Sequence, residues 1–286
     1  MGGRCLRGGR ERRAHPRYRS RPLPLLGRGG QSEAGCRSRR GPLILAIDAG
    51  NTRIKWGLHD GRQWLAMGSG ATAEAGVVIG QLAKLDRPSR VAFSNVAGPE
   101  AMEAVRRLCS EWSVALIEIV PQRFQCGVTN GYADPHQLGS DRWAAMVAAW
   151  RRFGRACLVV NAGTAMTADM VDDHGRFRGG IIVPGHGLML QALAERSSAL
   201  DRGIGRFDFY PKNTANAVYS GALLALVGAV KHMVARFSED LGVPPVIVLA
   251  GGDAALLRAH LELPAEMVEH LVLEGIVCIA SEGACP

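Results

Sequence analysis

With 286 residues, of which 47% are hydrophobic and 21% charged, the chain has the composition of a globular protein and room for one large or two average domains. Its net charge of +8 suggests nucleic-acid binding, but residues 1–42 alone hold twelve arginines against Glu11 and Glu33. This leader therefore carries +10 and the remaining residues −2, which removes the argument for a core that binds nucleic acid.

The leader is rich in Arg, Gly and Pro, and we predict that residues 1–42 are disordered. It lacks the apolar segment of a secretory signal, and its Gly and Pro content opposes the amphipathic helix of a transit peptide. A start site placed too far upstream is the explanation we favour. Seven scattered cysteines without a C-x-x-C pair, and no uninterrupted apolar run of about 18 residues, predict a cytoplasmic protein with reduced thiols and no membrane span.

The folded part is predicted to begin with three strands. LILAID at 43–48 is a short apolar run typical of a buried strand, and RIKWGLHDG and RQWLAMGSG form a hairpin around the Asp60-Gly61 turn. The following elements alternate between helix and strand, which indicates an α/β layer architecture. They are a helix at 74–85, a strand at 90–96, a helix at 99–111, a strand at 114–120 and a helix at 139–153.

An internal repeat divides the chain. LAIDAGNTRIKWGLHDGR at 45–62 returns as LVVNAGTAMTADMVDDHGR at 158–176, so that Asp48 corresponds to Asn161 and Gly50 to Gly163. We predict two related domains, 43–153 and 154–286, with one turn from each facing a central cleft. Chance similarity of two strand-turn-strand units is the alternative, because glycine is common at such turns.

The rest of the second half is again predicted to mix strands and helices. RGGIIVPG reads as a strand and turn, and VIVLAGGDAALLRAHL as a strand, a Gly-Gly turn and a helix. Helices are predicted at 187–199, 214–238 and 270–281.

The segment DAGNT at 48–52 has the features of a phosphate-binding turn. Asp48 at a strand end suits a magnesium ion held through water, Gly50 permits close approach of the backbone, and Asn51 and Thr52 offer hydrogen bonds. Lys55 adds a positive charge three residues further on. An ordinary Asx turn explains the same segment without a ligand.

A second such turn, NAGTAMTAD at 161–169, is predicted to face the first, with Gly163 and Thr164 near the phosphates. AGGDA at 250–254 follows a strand and is a candidate for contact with adenine or ribose, or a plain helix entry. The sequence contains neither a G-x-x-x-x-G-K-[ST] motif nor a G-x-G-x-x-G after a strand, which disfavours P-loop and dinucleotide folds.

The loop NGYADPHQLGSDRW at 130–143 leads into a helix and carries a candidate base. Phosphorylation of an alcohol needs a carboxylate that positions the hydroxyl and takes its proton, and Asp141 is our candidate. Arg142 offers fork geometry to a substrate carboxylate. By spacing alone, Asp141 could instead serve only the helix dipole, with Arg142 in a surface ion pair.

Three segments together resemble type III pantothenate kinases, and the resemblance extends from about residue 43 to the end. The segments are DAGNTRIKWG, NGYADPHQLGSDRWAAMVAA and GTAMTADMVDDHGRFRGGIIVPG. The resemblance implies two duplicated actin-like (ribonuclease H-like) α/β domains with a nucleotide cleft between them, in a homodimer. It implies ATP-dependent phosphorylation of the pantothenate hydroxyl, with Mg²⁺ and a monovalent cation, K⁺ or NH₄⁺. By matching position, the ATP-binding residues would be Asp48, Ala49, Gly50, Asn51, Thr52, Arg53, Ile54, Lys55 and Thr164. The pantothenate-binding residues would be Tyr132, Gly139, Ser140, Asp141, Arg142 and Thr214, with Asp141 as base.

Two departures from the family pattern stand out. Asn161 occupies the position where the family commonly has an Asp that binds the monovalent cation, so its carbonyl oxygen would coordinate without charge. The arginine-rich leader has no counterpart in the pattern. Two other functions stay open: a non-catalytic regulator of gene expression that binds ATP or pantothenate, and an actin-like kinase for another small acid or polyol.

Overall fold

The computed structural model describes residues 42–196 and 205–282. The predicted leader, except Pro42, and residues 197–199 of one predicted helix lie outside the described residues. The other predicted strands and helices are all present, with ends that differ by a few residues.

The first half forms a five-stranded sheet in the order β3-β2-β1-β4-β5. The first three strands are antiparallel, and β4 and β5 run parallel to β1. All six residues of β1 are buried, as its continuous apolar run predicts for a central strand. The elements are β1 Ile44–Ala49, β2 Arg53–His59, β3 Trp64–Ala71, α1 Ala75–Leu82, β4 Arg90–Asn95, α2 Pro99–Trp112 and β5 Ala115–Glu118.

A short connection then leads to a helix that closes the first half. It contains a two-stranded hairpin, β6 Phe124–Gln125 and β7 Val128–Thr129, and a single 3₁₀ turn at Pro135–Gln137. Helix α3 spans Ser140–Phe153 and ends at Gly154 in the left-handed conformation that commonly stops helices.

The second half repeats the topology of the first. Its sheet has the order β10-β9-β8-β11-β12, again with three antiparallel strands followed by two parallel ones. This identity of strand order and direction confirms the predicted duplicated α/β fold. The elements are β8 Cys157–Ala162, β9 Ala165–Val171, β10 Phe177–Pro184, α4 His186–Arg196, α5 Thr214–Leu241, β11 Val246–Ala250, α6 Ala254–Leu261, β12 Glu266–Met267 and α7 Leu271–Glu282.

Helices α3 and α7 form a shared layer between the two sheets. Helix α3 contacts β8 and β9 of the second sheet and β4 of the first, and α7, the last described helix, contacts β1, β2 and β4 of the first sheet. The two helices cross closely, because a β-carbon on Gly275 would lie 1.9 Å from the carbonyl oxygen of Ala144. One apolar core therefore joins the halves, and it includes Trp143, Val159 and Ile276. The boundary at 153/154 stays a prediction.

Helix α5 is, in the part of the chain that the structure describes, the one helix long and apolar enough to cross a membrane. One of its faces packs in the core of the second half, where Leu223, Leu226 and Val230 are buried beside β8 and β11. Burial of this face in the interior of the fold thus accounts for the apolar residues on it.

Candidate active site

The two turns of the sequence repeat lie against each other. The first turn, residues 50–52, joins β1 to β2, and the second, residues 163–164, joins β8 to β9. The hydroxyl oxygens of Thr52 and Thr164 are 2.7 Å apart, which is a hydrogen bond. Both residues are exposed at the cleft between the halves, so one hydroxyl from each half is available to a ligand there.

The other residues predicted around the first turn have different surroundings. Ala49 and Ile54 are fully buried in the core of the first half, so their side chains shape the turn from behind. Asn51 is exposed. Arg53 is also exposed and donates a 2.6 Å hydrogen bond to Ser69 on the neighbouring strand.

Asp48 lies behind the first turn, with a side chain that is only 9% exposed. Its Oδ1 atom is buried and has no hydrogen-bond partner among the described residues. In the sheet it is paired with Lys55 on β2 and with Ser94 on β4. Burial and, to a smaller extent, the charge of Asp141 raise the pKa of Asp48 to about 7, although Lys55 and Ser94 oppose this.

These features suit a divalent cation. A buried carboxylate oxygen without a partner is costly, and Mg²⁺ prefers such oxygen ligands together with water. A cation would also relieve the repulsion between Asp48 and Asp141 that contributes to the raised pKa. Asp48 is therefore the residue that could hold Mg²⁺.

A cleft of about 490 Å³ opens beside these residues, between the two halves. Lys55 and Trp56 of β2 belong to its first wall, and Gly251 and Gly252 of the AGGDA turn to its second. A smaller pocket next to it is lined by Asp48, Lys55, Asn161 and Gly251, among others. The structure thus brings Asn161 to the same pocket as Asp48.

The start of helix α3 fixes the position of Asp141. Gly139 is the extended residue before the helix, and the Ser140 hydroxyl hydrogen-bonds to that of Ser94 at 2.9 Å in the interior. Asp141 lies in the first helical turn, where the helix dipole favours a negative charge. Its Oδ1 accepts a 2.8 Å hydrogen bond from the backbone N–H of Arg142, and its side chain is half-buried.

Arg142 is buried and already has partners. Its Nε and Nη2 atoms donate to the two carboxylate oxygens of Asp169, at 3.1 and 2.5 Å, and Nη1 donates to the Tyr132 hydroxyl at 3.2 Å. Burial lowers the pKa of Arg142, but the bonds from Asp169 and Tyr132 outweigh it and raise this pKa above its ordinary value. A substrate carboxylate would therefore meet Nη1, and not the free fork that the sequence predicts.

Two residues that hold the loop after β7 were not predicted. Arg123 donates to the backbone carbonyls of Asn130, Tyr132 and Ala133, at 3.3, 2.8 and 3.0 Å. Asn130 is 1% exposed, and its side chain accepts from the Tyr132 N–H at 3.0 Å. The Asn-Gly pair at the start of NGYADP is a sequence signal for such an Asx turn. Arg123 lies outside this motif, and no sequence pattern indicates its contact with the loop.

Thr214 lies at the start of the long helix of the second half. It is the first residue of α5 and is exposed, and within the described ranges no side-chain hydrogen bond joins it to the other predicted residues. Its predicted contact with substrate stays a prediction.

Two sheets of identical topology, with facing turns and an acidic residue behind one of them, define the actin-like class of α/β folds, to which many kinases belong. Comparison with known families gives the particular one. Residues 44–236 match the family model described as type III pantothenate kinase, and the chain belongs to this family.

Similar proteins agree with this assignment. Type III pantothenate kinases from Nitrosospira multiformis and Nitrosomonas eutropha are 45% and 47% identical, over 84% of this chain and 92% and 95% of theirs. A solved structure from Campylobacter jejuni, assigned to the Baf family of transcriptional activators, is 20% identical and covers 84% of this chain and 98% of its own, with a TM-score of 0.57. The PilM-PilN pilus biogenesis complex matches at 15% identity, 85% and 99% coverage and a TM-score of 0.50. These two structures show the fold alone.

Proposed function

We propose that this chain transfers the terminal phosphoryl group of ATP to the hydroxyl of pantothenate, giving 4'-phosphopantothenate, the first step of coenzyme A biosynthesis. The observation that carries the proposal is the hydrogen bond between Thr52 and Thr164, which joins the two turns. Asp48 precedes the first turn, and burial and, to a smaller extent, the charge of Asp141 raise its pKa. Phosphoryl transfer requires these components: phosphate ligands, a cation site and a carboxylate for the acceptor hydroxyl.

The nucleotide would occupy the cleft between the halves. Its phosphates would contact the turns at 50–52 and 163–164, and Lys55 would add positive charge. The adenosine end would then extend toward Gly251 and Gly252, and the space around Gly252 is open, because a β-carbon there would meet no atom within 4 Å. Asp48 would hold Mg²⁺, which when bound neutralises charge on the phosphates.

Asp141 would act as general base. The neighbouring carboxylates Asp48 and Asp169 make its surroundings negative, and its charge in turn raises their pKa values. A carboxylate so placed can orient the acceptor hydroxyl and take its proton as the phosphoryl group is transferred. Arg142, through Nη1, and Tyr132 would contact the substrate on the other side of this residue, with Gly139 and Ser140 at the helix start.

The monovalent cation is a separate part of the proposal. Asn161 lies in the pocket of Asp48, and its side-chain carbonyl would coordinate K⁺ or NH₄⁺ without adding charge. We therefore expect weaker cation binding than a carboxylate at this position would give.

A homodimer would cover an apolar surface of the second half. Exposed apolar side chains lie on β10, on α4, before α5 and on α5 itself, and α4 packs against α5. An exposed patch of this kind is typical of an interface between protein chains. The residues are Ile182, Leu188, Leu193, Phe209, Tyr210 and Leu224, and Tyr210 is 82% exposed. A cytoplasmic location fits a soluble enzyme of this family.

The test is ATP-dependent phosphorylation of pantothenate by the purified full chain, with potassium, ammonium or sodium as the only monovalent cation. Activity with potassium or ammonium alone would support both the reaction and the cation site at Asn161. Equal activity with all three cations would support the kinase reaction and contradict a specific monovalent-cation site. No activity in a folded sample that binds ATP would favour a regulator, or an acceptor other than pantothenate.

A further inference from the structure

The buried ion pair between Asp169 and Arg142 goes beyond the residues predicted from sequence. Asp169 lies on β9, five residues after the second turn ends with Thr164, and its side chain is 1% exposed. It accepts two hydrogen bonds from Arg142 in the parallel arrangement that fixes a guanidinium most firmly. The pair links a strand of the second half to the first turn of α3, one residue from Asp141.

The surroundings leave neither partner room to move. A β-carbon on Gly180 of the adjacent strand would lie 2.1 Å from Oδ1 of Asp169, so the backbone of β10 packs directly against this carboxylate. The guanidinium carbon of Arg142 lies 5.9 Å from the ring centres of both Tyr132 and Phe177. Arg142 is thus held by a carboxylate on one side and by two aromatic rings on others.

Asp169, and not the adjacent Asp141, is the carboxylate that pairs with Arg142. The guanidinium of Arg142 donates to Asp169 and to Tyr132, whereas Asp141 accepts a hydrogen bond from the backbone N–H of Arg142. Burial and, to a smaller extent, the charge of Asp141 raise the pKa of Asp169, and Arg142 opposes this.

We propose that Asp169 is a positioning residue: it holds Nε and Nη2 of Arg142 and directs Nη1 and the Tyr132 hydroxyl toward the acidic end of the substrate. This inference rests on the proposed function. It assigns a role to a carboxylate outside both turns and outside the helix that carries the base.

The variant Asp169→Asn keeps the shape of the side chain but offers Arg142 one acceptor where the carboxylate offers two. We expect the KM for pantothenate to rise by about 10-fold or more, and the KM for ATP to change by less than about 2-fold.

Asp172→Asn is the matched control. Asp172 follows the same strand, is 4% exposed and pairs with Arg178, but it belongs to the turn at 172–176. A loss of stability seen in both variants would reflect the general cost of changing a buried carboxylate and not a role in substrate binding. A change of the KM for pantothenate in Asp169→Asn alone would support the proposal.

The combined variant Asp169→Asn with Arg142→Gln separates a role through Arg142 from an independent one. We expect it to be no worse than Arg142→Gln alone, because the carboxylate would have nothing left to position. Effects that multiply, or a KM in Asp169→Asn equal to that of Asp172→Asn, would overturn the proposal.

One measurement does not depend on turnover. In a ¹⁵N NMR spectrum of the full chain, the Nε–H signal of Arg142, assigned by its absence in Arg142→Gln, should shift in Asp169→Asn and stay in place in Asp172→Asn. An unmoved signal would contradict the ion pair itself. If the signal shifts but the wild-type chain does not phosphorylate pantothenate, the positioning of Arg142 by Asp169 is supported and the proposed function is contradicted.

Discussion

Thr52 and Thr164 are 112 positions apart in the chain, and their hydroxyl oxygens are 2.7 Å apart in the fold. Each comes from the turn after the first strand of its own sheet. The contact is the point at which the two copies of the repeat meet in front of Asp48.

Thr164→Val should weaken ATP binding. The substitution keeps the β-branched shape and removes the hydroxyl, so we expect the KM for ATP to rise by about 10-fold, the equivalent of one hydrogen bond. Thr129→Val, on the short strand β7, is the control. Steady-state kinetics with each substrate varied in turn would measure both, and an unchanged KM for ATP would remove Thr164 from the nucleotide site.

Asp141→Asn should lower kcat by about 100-fold or more, because the amide cannot accept the hydroxyl proton. ATP binding, followed by calorimetry, should stay near that of the wild type. Asp134→Asn is the matched control, since Asp134 lies in the same loop, is exposed, and accepts one backbone hydrogen bond that an asparagine can also accept. Undiminished turnover in Asp141→Asn would exclude Asp141 as the general base.

Asp48 should make stability depend on pH in a defined direction. Its pKa is about 7 in the folded chain and 3.8 ordinarily, so between these values the folded chain holds a proton that the unfolded chain has lost. The free energy of unfolding therefore falls as pH rises from about 4 to about 7, by up to about 4 kcal/mol from this group, and is constant above. We expect the unfolding free energy of Asp48→Asn, measured by denaturant titration without magnesium, to lack this dependence on pH.

The same pair of proteins tests the magnesium site. At pH 8, added Mg²⁺ should raise the melting temperature of the wild type, because the ion offsets the cost of the buried carboxylate, and should have little effect on Asp48→Asn. Equal stabilisation of both would place the magnesium site elsewhere.

Asn130→Ala should loosen the loop that carries Tyr132. The variant loses the bond to the Tyr132 N–H and leaves buried backbone groups without partners, which costs about 1–3 kcal/mol of unfolding free energy. The KM for pantothenate should rise and the KM for ATP should not. Asp60→Ala removes a similar bond from the turn between β2 and β3 and is the control. A pantothenate KM that changes equally in both variants would contradict the role of the loop.

The fold was predictable because its elements are long and strongly patterned. LILAID gives β1, and the repeat of a strand, a polar turn and a second strand gives both sheets. The hairpin of β6 and β7 and the strand β12 were missed, since two-residue strands are too short to show periodicity. The packing of α7 on the first sheet was not foreseen either, because a helix carries an apolar face without indicating which sheet covers it.

The candidate site was predictable where residues are adjacent in sequence and not where they meet only in space. DAGNT and Asp141 are local motifs. The bond from Arg142 to Asp169 joins residues 27 positions apart on different elements, and Arg123 reaches the loop through its long side chain. No spacing rule predicts such contacts, because they depend on how β9 and β7 are placed against α3.

The placement of α7 has a consequence for how the chain is made. During synthesis the first sheet is complete once β5 has been translated, yet α7, which contacts β1, β2 and β4, is the last described element to leave the ribosome. The apolar surface that α7 covers on the first sheet therefore stays uncovered until α7 has been translated. The order of translation and the order of assembly differ in this protein, and a nonsense mutation shortly before Leu271 would damage the beginning of the fold as much as its end.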